Sequence, residues 1–224
     1  MLTEELRSKN LFKTENSSLA LELIMSFEYP WQALEHIGEL IREKAKELCK
    51  NGYDEKGQNV WISNTAKISP FAHIDGPCII GAGTELRHGA FIRGNVIVGD
   101  GCVVGNSTEL KGCILFDGVQ VPHYNYVGDS ILGYRAHMGA GAIASNVRGD
   151  KGEICVVGKK AKIHTGRRKL GAIVGDFGEI GCSSVLNPGT VVGREAMIYP
   201  LSCVRGYVDE GHIYKGKGET VKRV

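Results

Sequence analysis

The densest polar and aromatic cluster of the chain is the hexapeptide V-P-H-Y-N-Y at residues 121–126. Its His123 carries an imidazole whose pKa ordinarily lies near neutral pH, so this side chain can accept a proton from an attacking nucleophile. Tyr126 follows three residues later, at a spacing that could turn its phenol toward the same pocket. The cluster is therefore a candidate for general acid–base chemistry at His123, with a surface or core histidine as the alternative.

The elements that must position this cluster follow from a six-residue repeat of aliphatic residues. A period of six fits neither an α-helix, with a period of about 3.6, nor a simple strand, with a period of about 2. It is typical of a parallel β-helix, in which each hexapeptide forms one flat side of a triangular coil and three hexapeptides close a turn. Small or branched residues stand four positions after the aliphatic ones, where a large side chain would overpack the interior. The repeat consists of Ile62, Ile68, Ile74, Ile80, Leu86, Ile92, Val98, Val104 and Leu110, and it returns at Val174, Ile180, Leu186, Val192, Ile198 and Val204.

The repeat changes register near the polar cluster, where two of its steps are only five residues long. Local violations of an otherwise regular pattern are expected at functional sites. The break around His123 therefore supports a function for this residue. After Leu110 the repeat passes through Phe116, Val121, Val127, Leu132 and Met138.

The chain is predicted to have three parts. Residues 1–59 form a helical N-terminal cap and linker, including a helix that contains Trp31 and a shorter helix over Ser17–Phe27 that begins at a serine cap. We expect this part to cover the open end of the coil, which would otherwise expose a strand edge and an apolar interior. The coil occupies residues 60–209, and a polar, basic tail over 210–224 leaves it.

An excursion interrupts the coil at residues 144–172 and is rich in lysine and arginine. Long excursions from a repeat scaffold are usually functional or disordered. The basic residues indicate an arm that binds phosphate or reaches a neighbouring subunit, with a solvated basic loop as the alternative. We expect Arg167 and Arg168 to contact a phosphate of a substrate or cofactor.

Composition and charge argue against several classes of partner. The formal net charge is +2, so no bulk attraction to nucleic acid or to an anionic membrane is expected. The charged N-terminal stretch holds no apolar run that could serve as a signal peptide, and no apolar stretch is long enough to span a bilayer. Seven cysteines without a C-x-x-C pair favour reduced side chains in a cytoplasmic protein.

Short motifs along the coil carry a more specific signal. They are L-R-H-G-A at Leu86–Ala90, E-L-K at Glu109–Lys111, H-Y-N-Y-V-G-D at His123–Asp129, M-G-A-G-A-I-A-S-N at Met138–Asn146 and K-L-G-A-I-V-G-D at Lys169–Asp176. Together they resemble the hexapeptide-repeat acyltransferases, and in particular the acetyltransferase domain of bifunctional sugar-1-phosphate nucleotidyltransferase/acetyltransferase enzymes. The resemblance covers residues 83–205.

The resemblance implies an all-β fold: a left-handed parallel β-helix of hexapeptide repeats with an α-helical N-terminal cap. It implies a homotrimer with active sites between adjacent coils. The implied reaction transfers acetyl from acetyl-CoA to the amine of an amino-sugar phosphate similar to glucosamine-1-phosphate, and no metal or redox cofactor is expected. No glycine-rich L-x-G-x-G-T-R-like segment appears, so we expect no pyrophosphorylase activity.

The same resemblance implies roles for two catalytic groups. His123 matches the general base that takes a proton from the sugar amine, as the neutral amine attacks the thioester. The backbone of Ala140 matches the donor to the thioester carbonyl or its oxyanion. Lys215 aligns loosely with a basic residue that contacts coenzyme A.

Substrate contacts are implied for five further residues. A cationic pair holds the sugar phosphate, one member by a planar fork and the other as a point charge. His137 stands where the bacterial enzymes have a substrate-binding asparagine, so the sugar or its substituents can differ. The five residues are Arg87, Lys111, Tyr126, His137 and Asn146.

Two alternatives remain open from the sequence. The γ-type carbonic anhydrases share the scaffold and bind zinc through an H-x4-H pair and a distant histidine. Here Gly118 and Gly128 stand where a partner of His123 would be needed, which leaves a poor zinc site. The other alternative is a trimeric scaffold or binding protein without activity. The sequence does not identify the sugar, the acyl group, or whether the phosphate belongs to a nucleotide.

Overall fold

The computed structural model describes residues 3–15 and 19–223. The N-terminal segment contains three α-helices, α1 (Ser8–Leu11), α2 (Leu19–Met25) and α3 (Ile37–Leu48). The 3₁₀ turns Glu4–Leu6, Pro30–Glu35 and Cys49–Asn51 complete this segment. The serine cap predicted at Ser17 lies outside the described residues.

The remainder forms the predicted left-handed parallel β-helix of hexapeptide repeats. The strands of successive turns pair into three sheets. They are called sheets A, B and C in the order in which the chain enters them. Sheet A contains Tyr53–Gly57, Val60–Ser63, Cys78–Ile80, Val96–Val98, Cys113–Leu115, Ile131–Leu132, Ala172–Val174, Thr190–Val192 and Tyr207–Val208. Sheet B contains Lys67–Ile68, Glu85–Leu86, Val103–Asn106, Gln120–His123, His137–Met138, Glu179–Ile180, Met197–Ile198, His212–Gly216 and Glu219–Lys222. Sheet C contains His73–Asp75, Phe91–Arg93, Glu109–Lys111, Tyr126–Gly128, Ile143–Ala144, Val185–Leu186 and Cys203–Val204.

The aliphatic residues of the repeat fill the coil interior, as predicted. From Ile80 to Val204 they are almost fully buried, while Ile68 and Ile74 in the first turn are partly exposed. The positions four residues after the aliphatic ones hold small or branched side chains inside the coil, as predicted. Several of these side chains carry a hydroxyl. Thr84 donates a hydrogen bond to the Gly99 carbonyl of the next turn at 2.7 Å, which satisfies a buried acceptor.

The register breaks lie at one corner of the coil, the corner through which the chain passes from sheet C to sheet A (the C–A corner). Gly94 and Asn95 form this corner in one turn, Gly112 alone forms it in the next, and Asp129 alone in the turn after that. The prediction that the first short step follows Phe116 is wrong. Leu115 pairs with Val98 in sheet A, so the missing residue precedes this strand. The breaks therefore flank Lys111 and Asp129 rather than His123.

The N-terminal segment is helical, as predicted, but its expected position over the open end of the coil is wrong. It lies along the outer face of sheet A, where α3 contacts the strands Cys78–Ile80 and Val96–Val98. Further along the same side, Phe12 packs on Phe116 with ring centroids 4.8 Å apart. The reason is a row of outward-facing isoleucines whose burial is worth about 1.5–3 kcal/mol each. This row is Ile79, Ile97, Ile114, Ile131 and Ile173, all at most 1% exposed.

Both ends of the coil differ from the sequence prediction. The segment predicted as a linker forms the strand Tyr53–Gly57, which pairs antiparallel with Val60–Ser63 and covers the first edge of sheet A. The predicted tail does not leave the coil. Its strand His212–Gly216 pairs with Met197–Ile198, and Glu219–Lys222 folds back on it as a hairpin. These added antiparallel strands cover edges that would otherwise carry unpaired backbone groups.

The excursion leaves and rejoins the coil at the C–A corner. It extends over 145–171, because Ala144 still pairs in sheet C and Ala172 already pairs in sheet A. Within it the strands Cys155–Val157 and Lys162–His164 form a hairpin. The Arg167 guanidinium lies 2.9 Å from the Glu35 carboxylate, which ties the excursion to the N-terminal segment.

No helix within residues 3–15 and 19–223 is long and apolar enough to cross a membrane.

The close stacking of turns predicts a strong effect of Gly105→Ala. A Cβ at this position would overlap the backbone of Pro122 in the next turn, so the coil would have to open there. We expect this variant to lose about 3 kcal/mol or more of unfolding free energy, measured by urea denaturation. Gly149→Ala is the matched control, since no atom lies within 4 Å of its added Cβ. Equal stability of the two variants would contradict the observed stacking.

Candidate functional site at the coil corners

His123 lies at the end of the strand Gln120–His123, where the chain turns from sheet B to sheet C (the B–C corner). Its backbone is held on both sides. The His123 N–H donates to the Asn125 side-chain oxygen at 3.1 Å, and the His123 carbonyl accepts from the Gly141 N–H at 2.9 Å. The side chain is exposed, and among the described residues none hydrogen-bonds to the imidazole. Both ring nitrogens are therefore available to a ligand.

Asn125 is the residue that fixes this corner, and the sequence analysis did not identify it. It is only 2% exposed and occupies the small position of the repeat. Its side-chain NH₂ donates to the carbonyls of Gly139 at 2.8 Å and Ala142 at 3.2 Å, while its oxygen accepts from His123. The amide thereby joins the His123 turn to the G-A-G turn of the next coil. The sequence did offer a signal for Asn125, because an amide stands there at a repeat position that otherwise holds small or branched side chains.

Ala140 stands one turn above His123 in the same corner. The strands Gln120–His123 and His137–Met138 are paired neighbours, so the two corner residues are separated by about one strand spacing, roughly 4.8 Å. The Ala140 carbonyl accepts from the Ser183 N–H at 2.8 Å. Its own N–H meets no acceptor in the described part of the chain. The corner thus combines a proton acceptor and a backbone donor without internal partners.

Three of the other predicted residues meet at the C–A corner around Asp129, which the sequence analysis did not single out. Asp129 is 8% exposed and accepts from the Lys111 ammonium at 3.1 Å. The Asn146 side-chain NH₂ donates to the same carboxylate. The Tyr126 ring lies across Gly128, where a Cβ would fall 2.5 Å from the phenol oxygen. Lys111, Tyr126, Asp129 and Asn146 are called the C–A cluster below.

The environment of the C–A cluster is reflected in the pKa of Tyr126. Burial raises this pKa above its ordinary value, and the nearby carboxylates of Glu109 and Asp129 raise it further. The phenol therefore stays protonated and can donate a hydrogen bond to an anionic group. The two ends of the excursion meet beside the C–A cluster, where the Leu170 N–H donates to the Asn146 carbonyl at 3.0 Å.

The predicted cationic pair is not brought together within one chain. Arg87 lies at the end of sheet B, where its guanidinium pairs with Glu85 at 3.2 Å. Lys111 lies at the far end of sheet C, in the C–A cluster. The width of sheet C separates them, so one chain cannot hold one phosphate with both side chains.

His137 belongs to neither corner. It projects from the outer face of sheet B, where its Nδ1 lies 2.9 Å from a Glu179 carboxylate oxygen. It lines a cavity of about 680 Å³ together with Asp117, Tyr134 and Arg135. His123 lies at the opposite edge of the same sheet.

The residues predicted to contact the cofactor are dispersed. Arg167 pairs with Glu35, and its side chain is 14% exposed, so it serves to hold the excursion. Arg168 is exposed. Lys215 lies in the C-terminal hairpin, with its ammonium 3.8 Å from Glu219. None of the three approaches His123 of the same chain through a contact in the described residues.

Comparison with known proteins agrees with the motifs. A family described as the GMPPB C-terminal domain matches residues 74–168. A "bifunctional sugar-1-phosphate nucleotidylyltransferase/acetyltransferase" from Sulfurisphaera tokodaii is 35% identical over 174 residues, covering 70% of this chain and 43% of the relative. A "bifunctional protein GlmU" from Methanococcus maripaludis is 35% identical over 192 residues, covering 84% of this chain and 46% of the relative. The chain resembles these bifunctional proteins and spans less than half of their length.

Solved structures resemble the chain more distantly. A putative acetyltransferase from Bacillus cereus matches with a TM-score of 0.46 and 16% identity, over 71% of this chain and 78% of that one. A hexapeptide transferase family protein from Anaplasma phagocytophilum matches with a TM-score of 0.43 and 20% identity, over 74% and 79% of the two chains.

The contacts of the C–A cluster predict that Asp129→Ala lowers the free energy of unfolding. Removing this carboxylate leaves the partly buried Lys111 ammonium and the Asn146 amide without their acceptor, and hydrogen bonds to charged groups are worth about 1.5–3 kcal/mol. We expect a loss of about that size in urea denaturation. Asp150→Ala removes an exposed carboxylate that pairs with Arg148, and it should cost much less than Asp129→Ala. A neutral Asp129→Ala would show that the cluster is not held by this carboxylate.

Proposed function

We propose that this protein is an acyltransferase that moves acetyl from acetyl-CoA to the amine of an amino-sugar phosphate. The observation that carries the proposal is the B–C corner. There the imidazole of His123 lies one turn from the N–H of Ala140, neither group has a hydrogen-bond partner among the described residues, and the buried Asn125 fixes both turns. The motif resemblance and the bifunctional relatives support the same reaction class.

These groups match the two demands of acyl transfer to an amine. An amine must be neutral to attack the thioester carbon and must lose a proton as the new C–N bond forms. His123 would accept this proton as a general base. The negative charge that develops on the carbonyl oxygen would be stabilised by the Ala140 N–H, as in an oxyanion hole. As the tetrahedral intermediate collapses, the C–S bond breaks and the imidazolium can return the proton to the departing thiolate.

The substrate phosphate is assigned to the C–A cluster and to Arg87. The Lys111 ammonium offers a point charge, and the protonated phenol of Tyr126 and the Asn146 amide offer directional hydrogen bonds. Arg87 can bind a phosphate with its planar fork if it exchanges Glu85 for the ligand. His137, paired with Glu179, is proposed to contact the sugar where it differs from glucosamine-1-phosphate.

A homotrimer would place these separated groups at one interface between copies. The N-terminal segment covers sheet A, which leaves sheets B and C as the surfaces available to other copies. Sheet B of one copy against sheet C of the next would place Arg87 and His123 at an interface that also includes the neighbour's sheet C, with Lys111 at its edge. Three apolar side chains project from the B–C corner, opposite sheet A, and a self-complementary contact would bury them. They are Phe71, Tyr124 and Leu201, which are 70%, 65% and 83% exposed.

The trimer proposal predicts that Leu201→Asp weakens self-association. A carboxylate on this corner would have to be buried against two others if the corner lies at the threefold axis. We expect sedimentation velocity to show a trimer for the natural chain and a concentration-dependent shift to monomers for the variant. Asn51→Asp, which adds the same charge on the helical side, should leave the trimer intact. A monomeric natural chain at micromolar concentration would contradict both the trimer and the shared site.

The proposed base predicts that His123→Ala loses acetyl transfer while keeping the fold. Loss of a positioned general base typically lowers the rate by about 10²–10⁴. We expect that decrease in kcat when coenzyme A release is followed with acetyl-CoA and glucosamine-1-phosphate or galactosamine-1-phosphate. His137→Ala should mainly raise KM, and His36→Ala, in the helical segment, is the control. Normal turnover by His123→Ala would exclude this base, and an inactive natural chain would favour a scaffold.

A further inference from the structure

The hairpin of the excursion gathers three side chains that share the chemistry of metal ligands. Cys155 and His164 stand directly opposite each other in its two antiparallel strands, so their side chains lie on the same face. Glu153 precedes Cys155 by two residues and points the same way. The intervening Ile154 and the following Val156 are at most 1% exposed and point into the protein, which fixes the outward direction of the trio.

Two of the three distances between the donor atoms fit tetrahedral coordination. Bonds of about 2.3 Å to sulfur, 2.0–2.1 Å to nitrogen and 2.0–2.2 Å to oxygen, at tetrahedral angles, place sulfur and nitrogen about 3.5 Å apart and nitrogen and oxygen about 3.4 Å apart. The Cys155 Sγ lies 3.6 Å from the His164 Nδ1, and the same nitrogen lies 3.3 Å from a Glu153 carboxylate oxygen. All three donor atoms lie within 4.8 Å of one another.

The ligands are also oriented by groups around them. The other Glu153 oxygen accepts from the Gly166 N–H at 2.9 Å, which leaves the first oxygen directed at His164. The Ile154 N–H donates to the Arg167 carbonyl at 2.8 Å, which holds the two ends of the hairpin together. Such supporting contacts are typical of metal sites.

The charges near the trio are compatible with a dication. A thiolate and a carboxylate supply two negative charges against one bound M²⁺, and a neutral imidazole adds none. Lys162 lies two residues before His164 on the same face, and Arg148 donates to the Glu153 carbonyl at 3.1 Å. Arg148 is paired with the Asp150 carboxylate and Lys162 is exposed to solvent, so the two cations oppose binding less than the two anionic ligands favour it.

We propose that Glu153, Cys155 and His164 bind a zinc-class divalent cation, with water as the fourth ligand. The ion would fasten the base of the excursion hairpin and thereby order the following residues, including the exposed Arg168. The site is remote from the B–C corner, so the proposal does not rest on acetyl transfer. The expectation that the transfer reaction needs no metal concerns different residues.

Cobalt binding tests the site directly, because thiolate–Co²⁺ charge-transfer and intensified d–d absorption report a four-coordinate site with sulfur. The full-length protein, treated with chelator and then titrated with Co²⁺ under reducing conditions, should show both bands at one equivalent. Cys155→Ser should abolish the charge-transfer band, and His164→Ala should raise the Co²⁺ Kd more than about 100-fold, beyond the loss typical of a supporting contact. Cys49→Ser, which alters an exposed cysteine elsewhere, should bind like the natural chain.

Protease sensitivity gives a second readout that does not depend on spectroscopy. Zn²⁺ should protect the excursion of the natural chain from trypsin, whose sites there include Lys159, Lys160 and Lys162. It should not protect the Cys155→Ser variant, whose unfolding temperature without metal should match that of the natural chain. Absence of a charge-transfer band in the natural chain, or its persistence in Cys155→Ser, would overturn the proposal.

Discussion

The constraint on which the structure depends is the stacking of turns about a dry aliphatic interior. Each turn must place one aliphatic side chain per side at the same height, because close packing tolerates neither a gap nor an added methylene. Insertions and deletions are therefore confined to corners. In this chain the shortened turns at Gly112 and Asp129 and the excursion over 145–171 all fall at the C–A corner. This corner is where Lys111, Tyr126 and Asn146 converge, so the irregularities of the coil build a polar cluster without disturbing its interior.

The faces and corners of the coil have different roles. Sheet A is apolar on its outer side and is covered by the N-terminal segment. The B–C corner lies opposite and holds His123 and Ala140 in successive turns, with Asn125 fixing the backbone of both. Because the C–A cluster lies a sheet width away, one copy does not bring together all the groups of the proposed site. The proposed trimer is thus a consequence of where the groups lie, not only of apolar exposure.

The hexapeptide repeat predicted the coil and its interior residues because a six-residue period has one simple structural solution. The position of the first short step could not be read from it, since Leu115 and Phe116 are adjacent and both apolar. The cover over sheet A was signalled by triplets such as V-I-V at 96–98, since a run buried on both faces needs a partner on each. The Glu153, Cys155 and His164 trio was beyond prediction, because it depends on the register of a hairpin inside the excursion. The site residues Asp129 and Asn125 act through contacts between turns that no local motif displays.

The central claim is that the corner at His123 and Ala140 transfers acetyl to an amine, and product identification with the natural chain tests it most directly. The protein would be incubated with acetyl-CoA and either glucosamine-1-phosphate or galactosamine-1-phosphate, and the products analysed by mass spectrometry. We expect an N-acetylated sugar phosphate formed in step with free coenzyme A. Binding of acetyl-CoA and sugar phosphate without any acetylated product, or release of coenzyme A by hydrolysis alone, would contradict it.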